Sequence, residues 1–525
     1  MDILIKNGLI VDGSGKAPYI ADIAVSRDRI CKIGQLEEEG ADYVIDAGGK
    51  MVTPGFIDGH THAELSLLKN RQGPNFIYQG VSTVVTGQCG LGFAPLPEDQ
   101  FEDSLRVNSG IFGEYRHYAK PWGSFGELLA QLDGCAVNVA ANVSHNAIRQ
   151  SALGFDDKPL TGKALETAKA RLREAMEEGA LGLSLGLSYY PGGYSDTEEL
   201  IELCKVVKEY DGLLCTHLRL NDGQIPLTPA QEMAEVVKGS GVRLNMLHYR
   251  TGGFEDTKTL FEPFETLEKE GADIHYEYYP YLVGAGLLLA LVPGWVQEGG
   301  YKKIMERLQS VGLRKELLEA MEARHSYFFG KGQTAVINIT KDMYAKEIGK
   351  SVDEIAEENK ESFSETVIRL LVENELQVGF IGVENQTEEL KQKLYEDQYK
   401  LFMDRRYTMG SDTISEGVVC HPRAFGSFSK TIRQMRERGV KPEFIIRKLT
   451  SMPAQLYHLK DRGLLEVGKK ADICIMDYDR VEDMASFSDP RRQSKGIDTL
   501  LVNGLPVMTK GVLTGILSGQ ALKKE

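Results

Sequence analysis

"TPGFIDGHTH", Thr53 to His62, carries a short apolar run into an Asp-Gly turn and then sets two histidines one residue apart. In extended backbone, residues i and i+2 point the same way. His60 and His62 would therefore share one side of a strand end, where paired imidazoles can take a divalent metal. The same spacing also fits one buried histidine and one at the surface, so the rest of the chain has to decide.

Seven more β-rich runs follow: "STVVTGQCG", "CAVNVAANVSH", "ALGLSLG", "GLLCTHL", "VRLNMLHY", "ADIHYEYYPY" and "RYTMGSD". Helical patterns lie between them. In "ALETAKARLREAMEEGA", Leu165, Ala168, Leu172, Ala175 and Met176 fall on one face, and Gly179 stands where a C-cap is expected. Eight short strands alternating with helices predict an α/β fold, a parallel TIM-like (β/α)8 barrel. The two ends of the chain differ. "DILIKNGLIVDGSG" and "DIAVSRDRICKIG" alternate apolar and polar residues around turns, as do "ADICIMDYD" and "GIDTLLVNGLPVMTKGVLTG". Residues 1–52 and 456–525 are expected to combine into a small β-sandwich beside a catalytic barrel of 53–455. The gap from Leu282 to Arg406 is longer than a barrel crossover needs and holds helical patterns such as "KKIMERLQSVGLRKELLEAMEARH". An inserted subdomain at about 285–345 is expected over the barrel mouth.

Bulk properties narrow the function. With 42% hydrophobic and 26% charged residues, the chain has the composition of a globular protein. A formal net charge of −15 argues against nucleic acid or an anionic membrane as partner, but says little about a small anionic substrate. No apolar run approaches the roughly 20 residues of a membrane helix; "LVGAGLLLALVPGW" is broken by Gly and Pro. The opening "MDILIKNGLIVDG" has no basic region or cleavage pattern, so no secretory leader is expected. The seven cysteines form no C-x-x-C pair, which suits a reducing cytoplasm. Oligomeric state is left open.

Active sites of such barrels lie at the C-terminal ends of the strands. Strand 1 ends in His60 and His62, strand 2 in Cys89 and strand 3 in His145. Strand 5 ends in His217, strand 6 in His248 and strand 8 in Asp412. Each alone has an ordinary structural reading: a small buried thiol, a satisfied core histidine, a helix cap. Together, in a chain with ten histidines, their common placement points to a metal or proton-transfer site. His145 reads more readily as core than as a contact to the substrate or to the ligands. His421 reads as structural, and His117, His275, His325 and His458 have no such surroundings.

The chain resembles the amidohydrolase superfamily in "VTPGFIDGHTH". In "STVVTGQCG", "GALGLSLGLSYYPGGYSDTEEL", "THLR", "YYPY", "GSDT", "HPRAFGSFSK" and "MPAQLYHLKDRGLLEVGKKADICIMD" it is similar to the N-acyl-D-amino acid deacylases, the D-aminoacylase branch. The resemblance runs from about Asp2 to Gly515. It implies zinc-dependent hydrolysis of the amide of N-acyl-D-amino acids by metal-activated water. Cys89, His217 and His248 would hold the tight zinc, and His60 and His62 a neighbouring, weaker position. Asp412 would be the general acid/base. Arg250 and Arg423 would hold a small substrate through its free carboxylate, and Tyr281 would help hold the substrate. Three positions depart from the family pattern: Arg250 stands for a usual lysine, Ala285 for a usual serine and Thr413 for a usual glycine. Arginine still grips a carboxylate, with a different fork, whereas Ala285 removes one hydroxyl contact.

The residue types suit the reaction. Zinc lowers the pKa of bound water from ~15.7 toward ~7, and a thiolate with two imidazoles leaves a coordination position open. A nearby carboxylate can then carry a proton to the leaving nitrogen. A cyclic-amide hydrolase of the hydantoinase or dihydroorotase kind is the alternative; it would need a lysine after a middle strand, and "ALGLSLG" offers none. A catalytically dead scaffold would be expected to have lost ligands.

Overall fold

The computed structural model describes residues 1–525 except 39, 114–119, 220–227, 254–255, 329–334, 340–345, 385, 418 and 525, and omits the side chains of 323–328 and 335–339. His117 and the His325 side chain therefore lie outside the described residues.

Eight parallel strands form the centre. They are Phe56–Asp58, Val81–Thr86, Asn138–Ala141 continued as Val143–Ser144, Gly182–Gly186, Leu213–His217, Arg243–Met246, Ile274–Tyr278 and Tyr407–Met409. Each coincides with a run singled out in the sequence. The first three strands are hydrogen-bonded in one arc and the third to eighth in another, joined where Asn142 interrupts strand 3. Backbone bonds across the first and last strand ends close the ring: Asp412 N–H donates to His60 O at 2.9 Å and His62 N–H to Thr413 O at 3.0 Å. The strands are buried along nearly their whole length, which explains why they read as apolar runs rather than as alternating ones. Helices cover them by the expected logic. The helix Gly162–Glu178 buries Ala168, Leu172, Ala175 and Met176, and the chain leaves it through Gly179 at φ 117°.

The two chain ends combine into one β domain. Eight of its nine strands follow one hydrogen-bonded path, with Met51–Pro54 pairing parallel to Ile3–Ile10 on one side and antiparallel to Ile473–Met476 on the other; the ninth, Tyr43–Asp46, pairs parallel to Ile3–Ile10 off that path. It has its own apolar core, including Ile5, Ile23, Val52, Ile473 and Leu501. Met51–Pro54 runs almost directly into the first barrel strand, so this sheet fixes where His60 and His62 begin.

Between strands 7 and 8 the chain makes a long excursion of helices with a three-stranded antiparallel sheet. In that sheet Val378–Gly382 lies between Ala285–Leu287 and Ala335–Ile339. Its middle strand comes from beyond residue 345, so the excursion is a longer unit than the sequence pattern around 285–345 suggests. Its edge strands are three and five residues long, too short for a periodic signal. Among the described residues no helix is long and apolar enough to cross a membrane, and all seven cysteines are unpaired.

Asp472 ties the β domain to the barrel. Its carboxylate accepts from Asn138 Nδ2 of barrel strand 3 at 3.1 Å and from Asn503 N–H at 2.7 Å, and it pairs with the buried Arg462. Among the described residues, truncating it leaves Arg462 with only the partly exposed Asp461 as acidic partner, 3.8 Å away. Asp472→Ala should therefore cost roughly 3 kcal/mol of unfolding free energy, read from urea denaturation. A loss below about 1 kcal/mol, the scale of an exposed pair, would show that this contact does not hold the joint.

Candidate metal centre and active site

Strand ends aim the ligands. His60 and His62 follow strand 1, and His217 is the last residue of strand 5. Cys89, His248 and Asp412 stand just beyond strands 2, 6 and 8 in left-handed backbone, with φ of 54°, 38° and 53°. Non-glycine residues avoid that region, and clusters of them mark places where function dictates direction. Here the turn swings each side chain over the barrel mouth.

Two overlapping groups result, with ligand atoms in each lying within 4.8 Å of one another: Cys89, His217 and His248, and His60, His62, Cys89 and Asp412. Cys89 Sγ is 3.7 Å from His248 Nε2 and 3.3 Å from His60 Nε2. His217 Nδ1 is 3.0 Å from His248 Nε2. Asp412 Oδ1 lies 3.4 Å from Nε2 of both His60 and His62. Ligands bound tetrahedrally at ~2.0–2.3 Å stand about 3.5 Å apart, so these separations fit a shared divalent ion.

Electrostatics agree with that fit. Burial pushes the His217 imidazole down to about 4, and burial together with the neighbouring His217 pushes His248 well below its usual value. Both therefore present neutral nitrogens, as metal ligation requires. Burial pushes the Cys89 thiol up to about 11, against the opposing pull of His60. A divalent cation held there would supply the charge that reverses this and ionises the thiol. Asp412 is also buried, which favours its neutral form, but Arg423 and His60 outweigh burial and hold the carboxyl well below its usual range. Arg423 Nη1 is 2.8 Å from Asp412 Oδ2.

Supporting groups lie behind the ligands. Glu277, at the end of strand 7, holds His60 Nδ1 at 2.6 Å, which turns Nε2 toward Cys89 and Asp412. Ser188 Oγ stands 3.1 Å from His217 Nε2 and directs Nδ1 toward His248. Asp58 accepts from Ser411 N–H at 2.8 Å and from His60 N–H at 3.2 Å, fixing the two loops that carry His60 and Asp412.

A cavity of about 240 Å³ opens beside His217 and is lined by Ser188, Tyr189, Arg250 and residues of the excursion sheet. Arg250 and Arg423 both approach the ring of Tyr279, at 5.0 and 5.1 Å from its centroid. Arg423 is fully buried, and its guanidinium nitrogens have no well-aligned hydrogen-bond acceptor. Two larger hollows, of about 490 and 500 Å³, lie among Tyr395 and Arg433 and among Tyr210 and Lys524, and touch none of the ligands.

Two expected residues sit elsewhere. The Tyr281 ring stands edge-on to His421 at 5.1 Å, with Lys430 Nζ 3.8 Å over its face, so Tyr281 reaches Arg250 through its backbone carbonyl. The aromatic ring between the two arginines is Tyr279. His145 opens the helix His145–Leu153, and its Nε2 is 3.0 Å from Glu199 Oε1. Although buried, Glu199 is held at about 2 by His145 and Arg149, so this is a separate buried network. The remaining described histidines have structural partners: His421 with Val283 O at 3.1 Å, His275 with Asp273 at 2.7 Å and His458 with Asp211 at 3.4 Å. Glu277, Tyr279, Ser188 and Asp58 were not singled out in the sequence. Glu277 had left a signal, an acid inside the strand "IHYEY".

Comparison with known proteins agrees with this architecture. A model of the amidohydrolase family matches residues 43–508. A D-aminoacylase of Alcaligenes xylosoxydans xylosoxydans is 28% identical over 100% of this chain and 98% of its own. An N-acyl-D-glutamate deacylase of the same organism is 28% identical over 97% of this chain and 93% of its own. The structure of the N-acyl-D-glutamate deacylase of Bordetella bronchiseptica, complexed with zinc and a phosphonate mimic of the tetrahedral intermediate, superposes with a TM-score of 0.80 at 26% identity, covering 100% of this chain and 99% of that one. The present chain belongs to the amidohydrolase family and is a hydrolase of its D-aminoacylase branch.

Proposed function

We propose that the protein is a zinc-dependent deacylase that cleaves the amide of N-acyl-D-amino acids, giving a D-amino acid and a carboxylate. What carries the reading is the juxtaposition of Cys89, His217 and His248 with Asp412 on one side and the guanidinium groups of Arg250 and Arg423 nearby. The names of the full-length relatives point the same way.

Cys89, His217 and His248 would hold the tight ion, with His60 and His62 beside Cys89 forming the weaker position. When bound, zinc supplies an acidified water and polarises the acyl carbonyl. The chain's own groups do the rest. Asp412 Oδ1 faces the imidazoles of His60 and His62 and can accept a proton there, then return it to the leaving nitrogen, which would otherwise depart as an unfavourable anion. Arg250 and the open donors of Arg423 hold the substrate carboxylate, with the hydroxyl and ring of Tyr279 between them. Arg423 thus serves both Asp412 and the substrate: a carboxylate on its free nitrogens competes for the charge that keeps Asp412 a weak base. Carboxylate, amide carbonyl and side chain make three points of contact, enough to choose between mirror images.

The cyclic-amide alternative meets a steric obstacle. A Cβ placed on Gly186, at the end of strand 4, would fall 1.8 Å from Cys89 O. No lysine can stand at that strand end while Cys89 occupies its present position.

The direct test pairs metal analysis with hydrolysis of matched N-acetyl-D- and N-acetyl-L-amino acids. Cleavage of D-forms, abolished by chelation and restored by zinc, is expected; cleavage of L-forms alone, or of hydantoins alone, rejects the assignment. Asp412→Ala should retain the tight metal and lose at least ~100-fold in kcat, and a near-normal rate would remove Asp412 from proton transfer. Glu277→Gln should lower affinity at the His60–His62 position by ~10–100-fold while leaving one ion per chain. Loss of both ions together would assign Glu277 to the fold instead.

A further inference from the structure

We propose that the protein selects N-acyl-D-amino acids whose side chain is uncharged and apolar, and discriminates against those of D-glutamate and D-aspartate. This inference rests on the deacylase reading above and concerns what the pocket beside that site accepts.

The argument is a count of charges. The 240 Å³ cavity is walled by Leu282, Val283, Ala285, Ala290, Phe380 and Val383 with the neutral amide of Gln386, and among its lining residues Arg250 is the one cation. Arg250 donates to Tyr281 O and to Tyr279 Oη and has no described carboxylate within ion-pair reach, so its charge is free for a ligand. Arg423, the second guanidinium, is paired with Asp412 at 2.8 Å, and its remaining donors serve the same carboxylate as Arg250, so it brings no charge for a second one. Other cations nearby are committed. Arg219 is bound to Glu232 at 3.1 Å and to the carbonyls of Gly193 and Ser195, and Lys430 lies over the Tyr281 ring at 3.8 Å. The described site therefore has charge for one carboxylate, the one on Cα.

An acidic side chain brings a second carboxylate. It would have to enter an apolar wall with no counter-charge, where an unpaired ion is strongly disfavoured. An apolar side chain loses water against the same surface and gains. The wall comes largely from the excursion between strands 7 and 8. A Cβ on Gly286 would meet the Phe380 ring at 3.3 Å, so strands Ala285–Leu287 and Val378–Gly382 close that end tightly. The volume falls below the ~300 Å³ at which ordinary ligand pockets begin, which favours a short acyl group such as acetyl.

The test compares kcat/KM of the zinc-loaded enzyme for N-acetyl-D-leucine and N-acetyl-D-methionine with that for N-acetyl-D-glutamate and N-acetyl-D-aspartate. A preference of about 100-fold for the apolar pair is expected, equal to about 2.7 kcal/mol at 1.36 kcal/mol per decade. Acidic substrates cleaved within about 3-fold of the apolar ones, or better, overturn the inference and leave the deacylase reading standing. If neither class is cleaved, the deacylase reading falls and takes this one with it. Ala285→Lys, which adds a cation to the wall, should raise kcat/KM for the acidic pair at least ~10-fold relative to the apolar pair. A folded variant with an unchanged ratio counts against the charge argument.

Discussion

Assembling a cluster of imidazoles and a thiol largely shielded from bulk water is the constraint on which the rest of this structure depends. In water each group would be solvated. At the barrel mouth they lose that solvent, and burial drives His217 and His248 toward the neutral form and Cys89 toward the thiol. Such a cluster is held together by its scaffold. The scaffold here includes three left-handed residues, Cys89, His248 and Asp412, each in a conformation that costs an ordinary L-residue roughly 1–2 kcal/mol. Backbone bonds between the His60 and Asp412 loops, and the carboxylates of Asp58 and Glu277 behind them, keep those conformations in place.

Much of this was legible in the chain because barrel strands are short, apolar and bounded by turns. All eight could be located, and the polar residue ending a strand is also the residue at the mouth. Cys89, His217 and His248, distant in sequence, were gathered by that rule with His60, His62, His145 and Asp412; their assignment to one ion came from the family resemblance. What stayed hidden depends on direction within a loop. Beyond Tyr278 the chain leaves strand 7, so position no longer says which of Tyr279 and Tyr281 turns toward the arginines. His145 also follows a strand, but it opens a helix, and its ring turns to Glu199 instead of to the metal ligands. The excursion sheet was illegible because its pairing joins residues nearly a hundred positions apart across intervening helices.

Net charge and site charge have opposite signs here. The chain carries −15 overall, yet its cavity wall presents Arg250, and Arg423 is buried just behind. A negative surface slows the approach of an anionic substrate through long-range repulsion, but salt screens that within about 8–10 Å. Inside the mouth the two guanidinium groups act at contact range in a medium far less polar than water, where the local charge dominates. Formal charge therefore argues against polyanionic partners without saying anything against a small carboxylate.

The last constraint concerns why a cysteine stands where both ligand groups meet. The ligand groups of strand 1 and of strands 5 and 6 share one side chain, Cys89, which has to come from a strand end that faces both. Strand 4 lies nearer the centre of the arc, but its end is Gly186, whose missing side chain is the space filled by the Cys89 carbonyl. Strand 2 supplies the donor instead. For it to do so its backbone must turn back over strand 4, which requires a left-handed residue at 89 and a glycine at 186 together. A longer side chain at 186 would displace Cys89, and a return of residue 89 to ordinary backbone would carry Sγ away from His60 and His248. The thiol, the glycine and the turn are thus a single structural solution, and none of the three can change without the other two.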